Sequence, residues 1–525
     1  MNRDTMKARI VDPSEDPLDF LVVGGGATGV GIAVDAASRG YRVLLVEQSD
    51  FGKGTSSRST KLVHGGVRYL QQGNVPLVME ALRERGLLLR NAPHLVRDQA
   101  FVVPNYDWWE APFYGVGMKV YDLLARRFGF GRSRLLSVEE VRTRIPTLAT
   151  EGLRGGVVYH DGQFDDARLL IHLVRTAVRH GATVLNHCPL VALLRNGDGY
   201  VDGGVIRDLE SGEEHEVRAR VVINATGAFA DGILRMSDPE APTLIAPSQG
   251  VHIVLHRRFL PGDAAIMVPR TSDGRVLFAI PWHDHALVGT TDTALEAVEL
   301  EPRAREEEIA FLLETAGEYL ADPPRREDIL SVFTGIRPLV KAGDGEGGTA
   351  ALSRDHTIHI DGSGLLTIVG GKWTTYRKMA QDAVDHAATL AGMEERPCVT
   401  RGLEIHGYHP ESDQFGALAV HGSDAPAIRD LVREEPALGE PLHPDLPTVG
   451  AEVVWAVRHE MARTVEDVLA RRCRAVQLNA RAARAMGPDV ARIMARELGR
   501  DEEWEEAQLS ALAEVLDLHL PVSAP

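Results

Sequence analysis

The stretch that decides the fold lies near the N-terminus, where residues 19–31 read Asp-Phe-Leu-Val-Val-Gly-Gly-Gly-Ala-Thr-Gly-Val-Gly and residues 43–47 read Val-Leu-Leu-Val-Glu. The apolar residues 20–23 predict a buried strand, and the small apolar residues after the glycines predict a helix packed against it. Gly40 ends that helix, and residues 41–46 predict a second strand. The stretch is therefore a βαβ unit with the spacing Gly-x-Gly-x-x-Gly at its first turn.

Each glycine of this unit has a separate function. Gly24 permits the tight turn, Gly26 lets a pyrophosphate approach the backbone, and Gly29 lets the helix and strand pack closely. The helix N-terminus offers N–H groups and a positive dipole end to the phosphates. Glu47 ends the second strand, where a carboxylate accepts hydrogen bonds from ribose hydroxyls. The motif predicts an ADP-containing dinucleotide rather than a plain structural turn, and it does not separate FAD from NAD.

Composition limits the class of protein. The 525 residues are enough for roughly two to four domains. The formal charge of −18 disfavours nucleic acid as a partner, since a phosphate backbone would be repelled. The 3 cysteines form no CxxC pair, so neither a disulfide framework nor a metal site is predicted. No signal peptide and no long apolar run are present, which predicts a reduced, cytosolic protein without a transmembrane helix.

Four later stretches carry further signals. Residues 55–70 are rich in Ser, Thr and Gly, and they predict either a ligand-binding loop or a flexible surface loop. Residues 221–227 read as an apolar strand that ends in small residues, which suits a strand abutting a cofactor. Residues 365–377 predict a strand, a glycine pair and a helix, and hence a second anion-receptive helix N-terminus. Residues 243–330 predict a mostly antiparallel sheet that roofs the site.

The helical pattern of residues 446–525 predicts a C-terminal domain of helices, with separate helices at residues 475–485 and 488–498, preceded by a linker or irregular connection at residues 434–450. His252 alternates with apolar neighbours in the predicted antiparallel sheet. On spacing alone, such a residue is more often a satisfied core histidine than a catalytic one.

Taken together, these motifs resemble the FAD-dependent, respiratory-type glycerol-3-phosphate dehydrogenases. The resemblance runs from Asp19 to about Ala383, and residues 458–472 resemble the C-terminal helical domain of that family. The matching segments are GGGATGVG at 24–31, TSSRSTKLVHGGVRYL at 55–70, NATG at 224–227, SQGVHIV at 248–254, GTTD at 289–292, TGIRPL at 334–339, SRDHTIHI at 353–360 and GGKWTTYRKMA at 370–380. Trp373 departs from the family, in which a smaller aliphatic residue is frequent.

The resemblance implies an α/β fold with three parts. FAD is expected in an extended pose across a three-layer nucleotide-binding domain, under the antiparallel sheet of a substrate domain, with a C-terminal all-α domain beside them. The discontinuous FAD-binding domain is expected at residues 17–75, 150–240 and 331–390. The substrate domain is expected at residues 76–149 and 241–330, and the helical domain at residues 400–525.

The reaction that the resemblance implies is hydride transfer from C2 of sn-glycerol 3-phosphate to FAD, giving dihydroxyacetone phosphate, with the electrons passed on to a quinone. His252 is the candidate base, because an unperturbed pKa of about 6.5 leaves it largely neutral at pH 7. Arg337 and Lys372 are expected to stabilise the developing alkoxide and the anionic reduced flavin.

The other site residues are carried over from the matching motifs. Arginine offers a forked, permanent charge to a phosphate dianion, so Arg68 and Arg354, with the Tyr69 hydroxyl, are the expected phosphate clamp. The residues expected to contact FAD are Gly24, Gly25, Gly26, Thr28, Gly29, Glu47, Thr55, Ser56, Ser57, Lys61, His64, Gly65, Gly66, Ala225, Thr226, Gly227, Gly371, Lys372 and Thr374.

Three other functions stay open at this point. Glycerol-3-phosphate oxidases share nearly all of these motifs and use O2, so the acceptor is not decided. An NAD-dependent dehydrogenase is disfavoured by residues 221–227 and 368–375, which a Rossmann NAD site does not need. A flavoprotein with purely structural FAD is disfavoured by the intact basic residues. A homodimer is considered as the assembly.

Residues 106–130 hold 8 of the 29 aromatic residues, and arginines follow them. Aromatic rings beside cations suit a segment lying in a lipid interface. Because the implied acceptor is a membrane quinone, peripheral contact with the inner face of the cell membrane is expected around Trp108, Trp109 and Phe113. The alternative is an aromatic-rich core helix in the substrate domain, and Gly115 and Gly117 weaken either helix.

Overall fold

The structure is a computed structural model of the chain, and it describes residues 1–10, 17–66, 74–107, 110–125, 129–269, 271, 274–341 and 356–521. The helices in this part of the chain are α1 Arg3–Ala8, α2 Ala27–Ser38, α3 Val75–Asn91, α4 Glu110–Ala125, α5 Val138–Arg144, α6 Asp166–Arg179, α7 Ala230–Ser237, α8 Glu306–Tyr319, α9 Tyr376–Leu390, α10 Ala425–Glu434, α11 Gly450–Glu460, α12 Ala475–Leu478, α13 Ala480–Leu498 and α14 Glu502–His519.

The strands are β1 Leu18–Val23, β2 Val43–Val46, β3 Leu62–Val63, β4 Val96–Asn105, β5 Arg134–Leu136, β6 Gly155–Phe164, β7 Thr183–Leu185, β8 Leu190–Arg195, β9 Val201–Arg207, β10 Glu214–Asn224, β11 Ile245–His256, β12 Ala265–Val268, β13 Leu277–Trp282, β14 His285–Gly289, β15 Thr293–Ala294, β16 Ile329–Val340, β17 His356–Ile360, β18 Leu366–Gly370, β19 Pro441–His443 and β20 Leu446–Val449. They form two large sheets and one small hairpin.

The first sheet has the strand order β17-β18-β10-β1-β2-β7. Its central strands are parallel, and the first half of β10 continues into an antiparallel meander with β9 and β8. Helices α2, α6 and α9 pack together on it. This is an open α/β sheet, in which ligands bind beyond the carboxyl ends of the parallel strands. The predicted α/β fold is confirmed.

The turn between β1 and α2 explains why glycine is needed there. Gly24 has a φ of +111°, and a Cβ atom on it would lie 2.6 Å from the carbonyl oxygen of Ala225 on the neighbouring strand. A Cβ atom on Gly29 would lie 1.9 Å from the carbonyl oxygen of Gly24. Both positions therefore exclude any side chain, which lets α2 begin directly above the strand ends.

The second sheet is mostly antiparallel and has the order β15-β11-β14-β13-β12-β4-β6-β3, with β16 beside β11 and β5 beside β6. Its β6 and β16 were expected in the FAD-binding domain from their place in the sequence. The structure instead pairs β6 with β4 and β16 with β11 over their whole lengths. The partners of these two strands could not be predicted from sequence, because long-range strand pairing leaves no local signal, and the domain boundaries remain predictions.

The C-terminal helices pack against the back of the second sheet. Val254, Trp282 and Phe333 from that sheet share one apolar cluster with residues of α11, α12, α13 and α14. Two details differ from the sequence pattern. The stretch expected as a linker contains the β19–β20 hairpin, and α13 runs unbroken through Pro488, where two helices were expected. Residues Asp467–Arg472 form a π-helical turn.

Candidate functional site

A cavity of about 420 Å³ lies between the two sheets. The carboxyl ends of β1, β2, β10 and β18 form one wall, and residues of β11 and β16 form the opposite wall. The expected site residues that line it are Gly24, Gly26, Thr28, Glu47, Thr55, Ser56, His64, Ala225, Thr226, Gly227, His252, Arg337, Gly371, Lys372 and Thr374. Segments hundreds of residues apart in sequence thus meet at one place.

Other expected site residues lie behind this cavity surface. Gly25 donates its N–H to Glu47, and Gly29 packs on Gly24. Ser57 is buried, Gly65 donates its N–H to the Tyr121 hydroxyl, and Gly66 lines a smaller neighbouring cavity.

Lys61 also lies away from the cavity surface. Its side chain is fully buried, and Nζ donates to both carboxylate oxygens of Asp166, at 2.8 and 2.9 Å. The FAD contact expected for Lys61 is therefore not what its geometry favours. A lysine in a Ser/Thr/Gly-rich loop gives no local sign that its partner is an aspartate 105 residues later.

Glu47 ends β2 beside the glycine turn. Its Oε2 accepts the Gly25 N–H at 2.6 Å, and its Oε1 accepts the Ser49 N–H at 2.9 Å. Burial raises the pKa of this carboxyl, and the two backbone donors oppose that rise. Two backbone donors therefore hold the carboxylate at the cavity wall, and its contact with a ribose remains a prediction.

The turn Thr55–Ser57 closes over the start of α2. The Ser56 hydroxyl accepts the Ala27 N–H at 2.9 Å, which satisfies one of the free donors of the helix N-terminus. The Trp373 indole donates to the carbonyl oxygen of Ser56 at 2.8 Å. Trp373, the residue that departs from the family pattern, thus ties the second glycine turn to the first.

His252 lies on β11 and is 2% exposed. Its Nε2 lies 2.9 Å from the Thr60 hydroxyl, and its ring stacks on Phe333 at 4.9 Å between centroids. Within the described residues, Nδ1 has no hydrogen-bond partner. Burial, followed by the nearby charges of Arg337 and Lys61, holds the pKa of His252 well below its usual value. The imidazole is therefore neutral at pH 7, which is the state that a base requires.

Two cations line the same cavity as His252. The Arg337 guanidinium donates to the carbonyl oxygens of Gln249 and Thr291, at 3.2 and 2.9 Å, and pairs with Asp292 at 3.3 Å. Lys372 precedes the short turn Trp373–Thr375, and its Nζ atom is buried at the cavity. Both are placed to stabilise negative charge that develops in the cavity.

A smaller cavity of about 240 Å³ adjoins the first and shares Thr60, His64 and Arg337 with it. Arg275, which sequence reasoning missed, lines this smaller cavity. The available signal was an arginine placed directly after the glycine of a turn, Thr-Ser-Asp-Gly-Arg, at the start of a strand in the predicted roof sheet. Arg68, Tyr69 and Arg354, the expected phosphate clamp, lie outside the described residues.

One cluster among the described residues has ligand atoms close enough for a metal ion: Asp50, His187 and Asp467, within 4.8 Å of one another. Arg471 and Arg472 both pair with Asp50, each at 2.5 Å. These guanidinium groups supply the positive charge that a cation would bring. The cluster is better described as an ion-pair network between the nucleotide-binding and helical regions.

The residues of the larger cavity fit FAD. A dinucleotide with a pyrophosphate needs small residues at strand ends and at least one helix N-terminus. The cavity offers the Gly24–Gly26 turn at α2 and the Gly370–Gly371 turn before Trp373–Thr375, with φ values of +78° and +75° at the second glycine pair. The roof brings a neutral imidazole and the Arg337 guanidinium, and Lys372 follows the second glycine turn on the opposite wall, which suits a redox ring rather than a second nucleotide.

Comparison with protein families gives two matches that together cover most of the chain. Residues 19–377 match the family of FAD dependent oxidoreductases. Residues 365–505 match the C-terminal domain of alpha-glycerophosphate oxidase.

Relatives of known name are similar over nearly the whole chain. A probable mitochondrial glycerol-3-phosphate dehydrogenase of Caenorhabditis elegans is 40% identical in an alignment 540 residues long, which covers 97% of this chain and 74% of that protein. The human mitochondrial glycerol-3-phosphate dehydrogenase is 39% identical in an alignment 535 residues long, which covers 95% of this chain and 73% of that protein.

Solved structures show the same similarity. The glycerol-3-phosphate dehydrogenase of Bacillus halodurans, crystallised with FAD, has a TM-score of 0.80 and 28% identity, with 100% of this chain and 98% of that chain covered. The L-alpha-glycerophosphate oxidase of Mycoplasma pneumoniae shares the fold at a TM-score of 0.57 and 16% identity, with 74% and 98% covered.

Proposed function

Because this chain belongs to the FAD-dependent glycerol-3-phosphate dehydrogenases, we propose that it oxidises sn-glycerol 3-phosphate to dihydroxyacetone phosphate and passes the electrons to a quinone. FAD as cofactor and the flavoenzyme class are confirmed by the family match. The site residues, the electron acceptor, the membrane contact and the homodimer remain predictions.

The observation that carries the proposal is the neutral, buried His252 facing the same cavity as the dinucleotide turn. Bound FAD supplies the hydride acceptor for this chemistry. We assign His252 as the group that accepts the proton of the C2 hydroxyl: its Nε2 lies 2.9 Å from the hydroxyl of Thr60, which also lines the cavity, and its Nδ1 is buried. A base that is neutral at the working pH needs no prior deprotonation.

Arg337 and Lys372 hold fixed positive charge at the same cavity. Arg337 is anchored through the carbonyl oxygens of Gln249 on β11 and of Thr291 in the connection between β14 and β15, so its guanidinium cannot swing away as charge develops. Preorganised cations of this kind act on the transition state because they need no reorganisation. We assign them to the developing alkoxide and to the electron-rich reduced ring.

The smaller cavity is the proposed place for the substrate phosphate. Arg275 and Arg337 both line it, and a phosphate dianion favours the forked donors of arginine. Arg68, Tyr69 and Arg354 remain the predicted clamp from the family motifs. Because the chain carries a formal charge of −18, such a local cationic cluster is needed to hold an anionic substrate.

A quinone is the proposed acceptor, with O2 as the alternative. Helix α4 supports a membrane location, because Val120 and Leu123 on one face are 41% and 75% exposed while Met118 and Tyr121 on the other face are buried. Among the described residues, no helix has the length and hydropathy needed to cross a bilayer. A peripheral contact through α4 would bring the enzyme to a lipid-soluble acceptor.

The test is a steady-state assay with two substrates and two acceptors. The proposal expects turnover of sn-glycerol 3-phosphate with a soluble quinone analogue, little turnover of glycerol, and little hydrogen peroxide in air. Peroxide formed in proportion to substrate would make the enzyme an oxidase. Equal turnover of glycerol would show that the enzyme does not recognise its substrate through the phosphate group.

A further inference from the structure

A buried polar cluster lies directly behind the cavity wall. Lys61 donates from Nζ to Asp166 and to the carbonyl oxygen of Ser57, the latter at 2.7 Å. Asp166 also accepts the Ser59 N–H at 3.1 Å and the Ser59 hydroxyl at 2.7 Å. The cluster therefore fixes the backbone of residues 57–61 from behind, while residues 58–60 line the cavity in front.

The helical domain contributes one side chain to this cluster. Gln477, on α12, is 3% exposed. Its Nε2 donates to the carbonyl oxygen of Ser57 at 2.6 Å, and its Oε1 accepts from Lys61 Nζ at 3.3 Å. One amide thus binds both ends of the 57–61 segment, although it belongs to a different domain and lies 420 residues from Ser57.

The same segment holds the candidate base in place. The Thr60 hydroxyl is 2.9 Å from His252 Nε2. Behind the His252 ring is the stacked ring of Phe333, and Lys61 Nζ lies 5.0 Å from the centroid of that second ring. A shift of residues 57–61 would therefore move the Thr60 hydroxyl and the Lys61 ammonium group together. Both groups help to fix the position of the His252 imidazole.

We propose that Gln477 is a positioning residue for the reaction: it holds residues 57–61 against the cavity, and so aims the Thr60 hydroxyl at His252. This inference rests on the proposed function, since it assumes that His252 is the base. It assigns the helical domain a part in the chemistry, in addition to covering the sheet. A misplacement of about 1 Å at a reacting group costs roughly 100-fold in rate, so a loosened segment has a measurable effect.

The experiment compares Gln477→Leu with Gln508→Leu in the full holoenzyme. Gln508 is a matched control, because its Oε1 accepts the Val465 N–H at 3.1 Å wholly within the helical domain. We expect Gln477→Leu to keep its FAD, to lose roughly 10- to 100-fold in the rate constant of anaerobic flavin reduction, and to speed amide hydrogen exchange in residues 55–63. Gln508→Leu should change neither quantity.

A double variant separates positioning from general loosening. If Gln477 acts through Thr60, the variant Thr60→Val with Gln477→Leu should reduce its flavin no more slowly than Thr60→Val alone. Additive losses would overturn the proposal, as would Gln477→Leu with a rate within twofold of wild type. Should Gln477→Leu fail to fold, Gln477→Glu keeps the acceptor for Lys61 and removes the donor to Ser57, and the same outcomes apply. A wild-type protein that sn-glycerol 3-phosphate does not reduce overturns the proposed function instead.

Discussion

At the scale of the residue, His252 is the group on which the proposed chemistry depends. Replacing it by Gln removes the base and keeps a side chain of similar size. We expect the rate constant of flavin reduction to fall by roughly 10²–10⁴-fold, the usual span for general acid–base catalysis. Anaerobic stopped-flow absorbance measures it. His285→Gln is the control, since His285 is buried on the neighbouring strand and does not line the cavity. A near-normal rate would return His252 to the role of a core histidine.

The pH dependence of the same rate constant gives a second readout of His252. Its pKa in the folded protein lies well below the usual value because of burial and the charges of Arg337 and Lys61. The neutral form therefore persists below pH 6.5, and the rate falls only as the pH drops through the lowered pKa. Loss of that acid limb in His252→Gln is expected. An acid limb at or above pH 6.5 in the wild type would contradict the assignment.

Sequence reasoning succeeded at the residue scale where the requirement is local. The need for glycine at positions 24 and 29 could be predicted, because it comes from local backbone conformation and close contacts that the motif spacing specifies. Lys61 and Arg275 could not be assigned in this way. The partner of Lys61 depends on the packing of α6, and the place of Arg275 depends on how the roof sheet faces the first sheet.

At the scale of the element, the β1–α2 turn is predicted to hold the pyrophosphate. Gly26 has an ordinary φ of −82°, and a Cβ atom there would lie 3.1 Å from the Ser56 hydroxyl oxygen. Gly26→Val should therefore fold and lose FAD, because the branched side chain occupies the approach to the backbone. The measurement is flavin absorbance per mole of purified protein. Gly197→Val is the control, because nothing lies within 4 Å of its Cβ position. Full flavin content in Gly26→Val would contradict the placement of the pyrophosphate at this turn.

Helix α4 is the predicted membrane contact; Trp108, Trp109 and the side chain of Phe113, on which the sequence prediction was made, lie outside the described residues. The variant Val120→Ser with Leu123→Ser removes exposed apolar area without touching the buried Met118 and Tyr121. We expect it to keep FAD and to float less with anionic lipid vesicles than the wild type, because lipid binding scales with buried apolar area. Leu209→Ser, at another exposed apolar position, is the control. Equal flotation of the double variant and the wild type would exclude this face of α4.

The elements themselves show what local pattern can predict. The βαβ unit and most C-terminal helices could be predicted from the hydrophobic periodicity and the turn residues. The membership of β6 and β16 in the second sheet does not, because strand pairing across more than 50 residues is decided by the whole core. Pro488 was expected to interrupt a helix, and α13 tolerates it inside a well-packed cluster.

At the scale of the whole molecule, buried histidines join the nucleotide-binding and helical regions. His94 Nε2 lies 2.9 Å from His172 Nδ1, and Arg168 contacts both His172 and His421. Burial, followed by the charge of Arg168, lowers the pKa of His94 to about 3 and that of His172 well below its usual range. Arg175, Asp424, Glu452 and Glu460 also face this cluster.

The sign of the pH effect on stability follows from these lowered values. As the pH falls below about 6.5, the unfolded chain binds protons that the folded histidines do not. Above pH 6.5 these histidines therefore do not lower the free energy of unfolding. Below pH 6.5 each such histidine lowers it by about 1.4 kcal/mol per pH unit.

We expect the unfolding midpoint to drop between pH 7 and pH 5, and to drop less in His94→Gln. Calorimetry at several pH values measures this. The exposed His386→Gln should behave like the wild type, and an equal drop in both variants would contradict the account.

The contacts between the domains were the feature that was hardest to predict from the sequence. The pairs of Asp50 with Arg471 and Arg472, and the reach of Gln477 to Ser57, join residues more than 400 positions apart. No composition or periodicity marks such partners. The family resemblance supplied the three-part organisation, and packing supplied the contacts that make it one catalytic unit.

The central claim, that this flavoenzyme takes electrons from sn-glycerol 3-phosphate, is tested most directly by anaerobic titration of the purified holoprotein while its visible spectrum is recorded. The account predicts bleaching of the oxidised flavin band in proportion to added sn-glycerol 3-phosphate, with no bleaching by glycerol. A spectrum that stays oxidised with excess sn-glycerol 3-phosphate, in protein whose flavin dithionite does reduce, would contradict it.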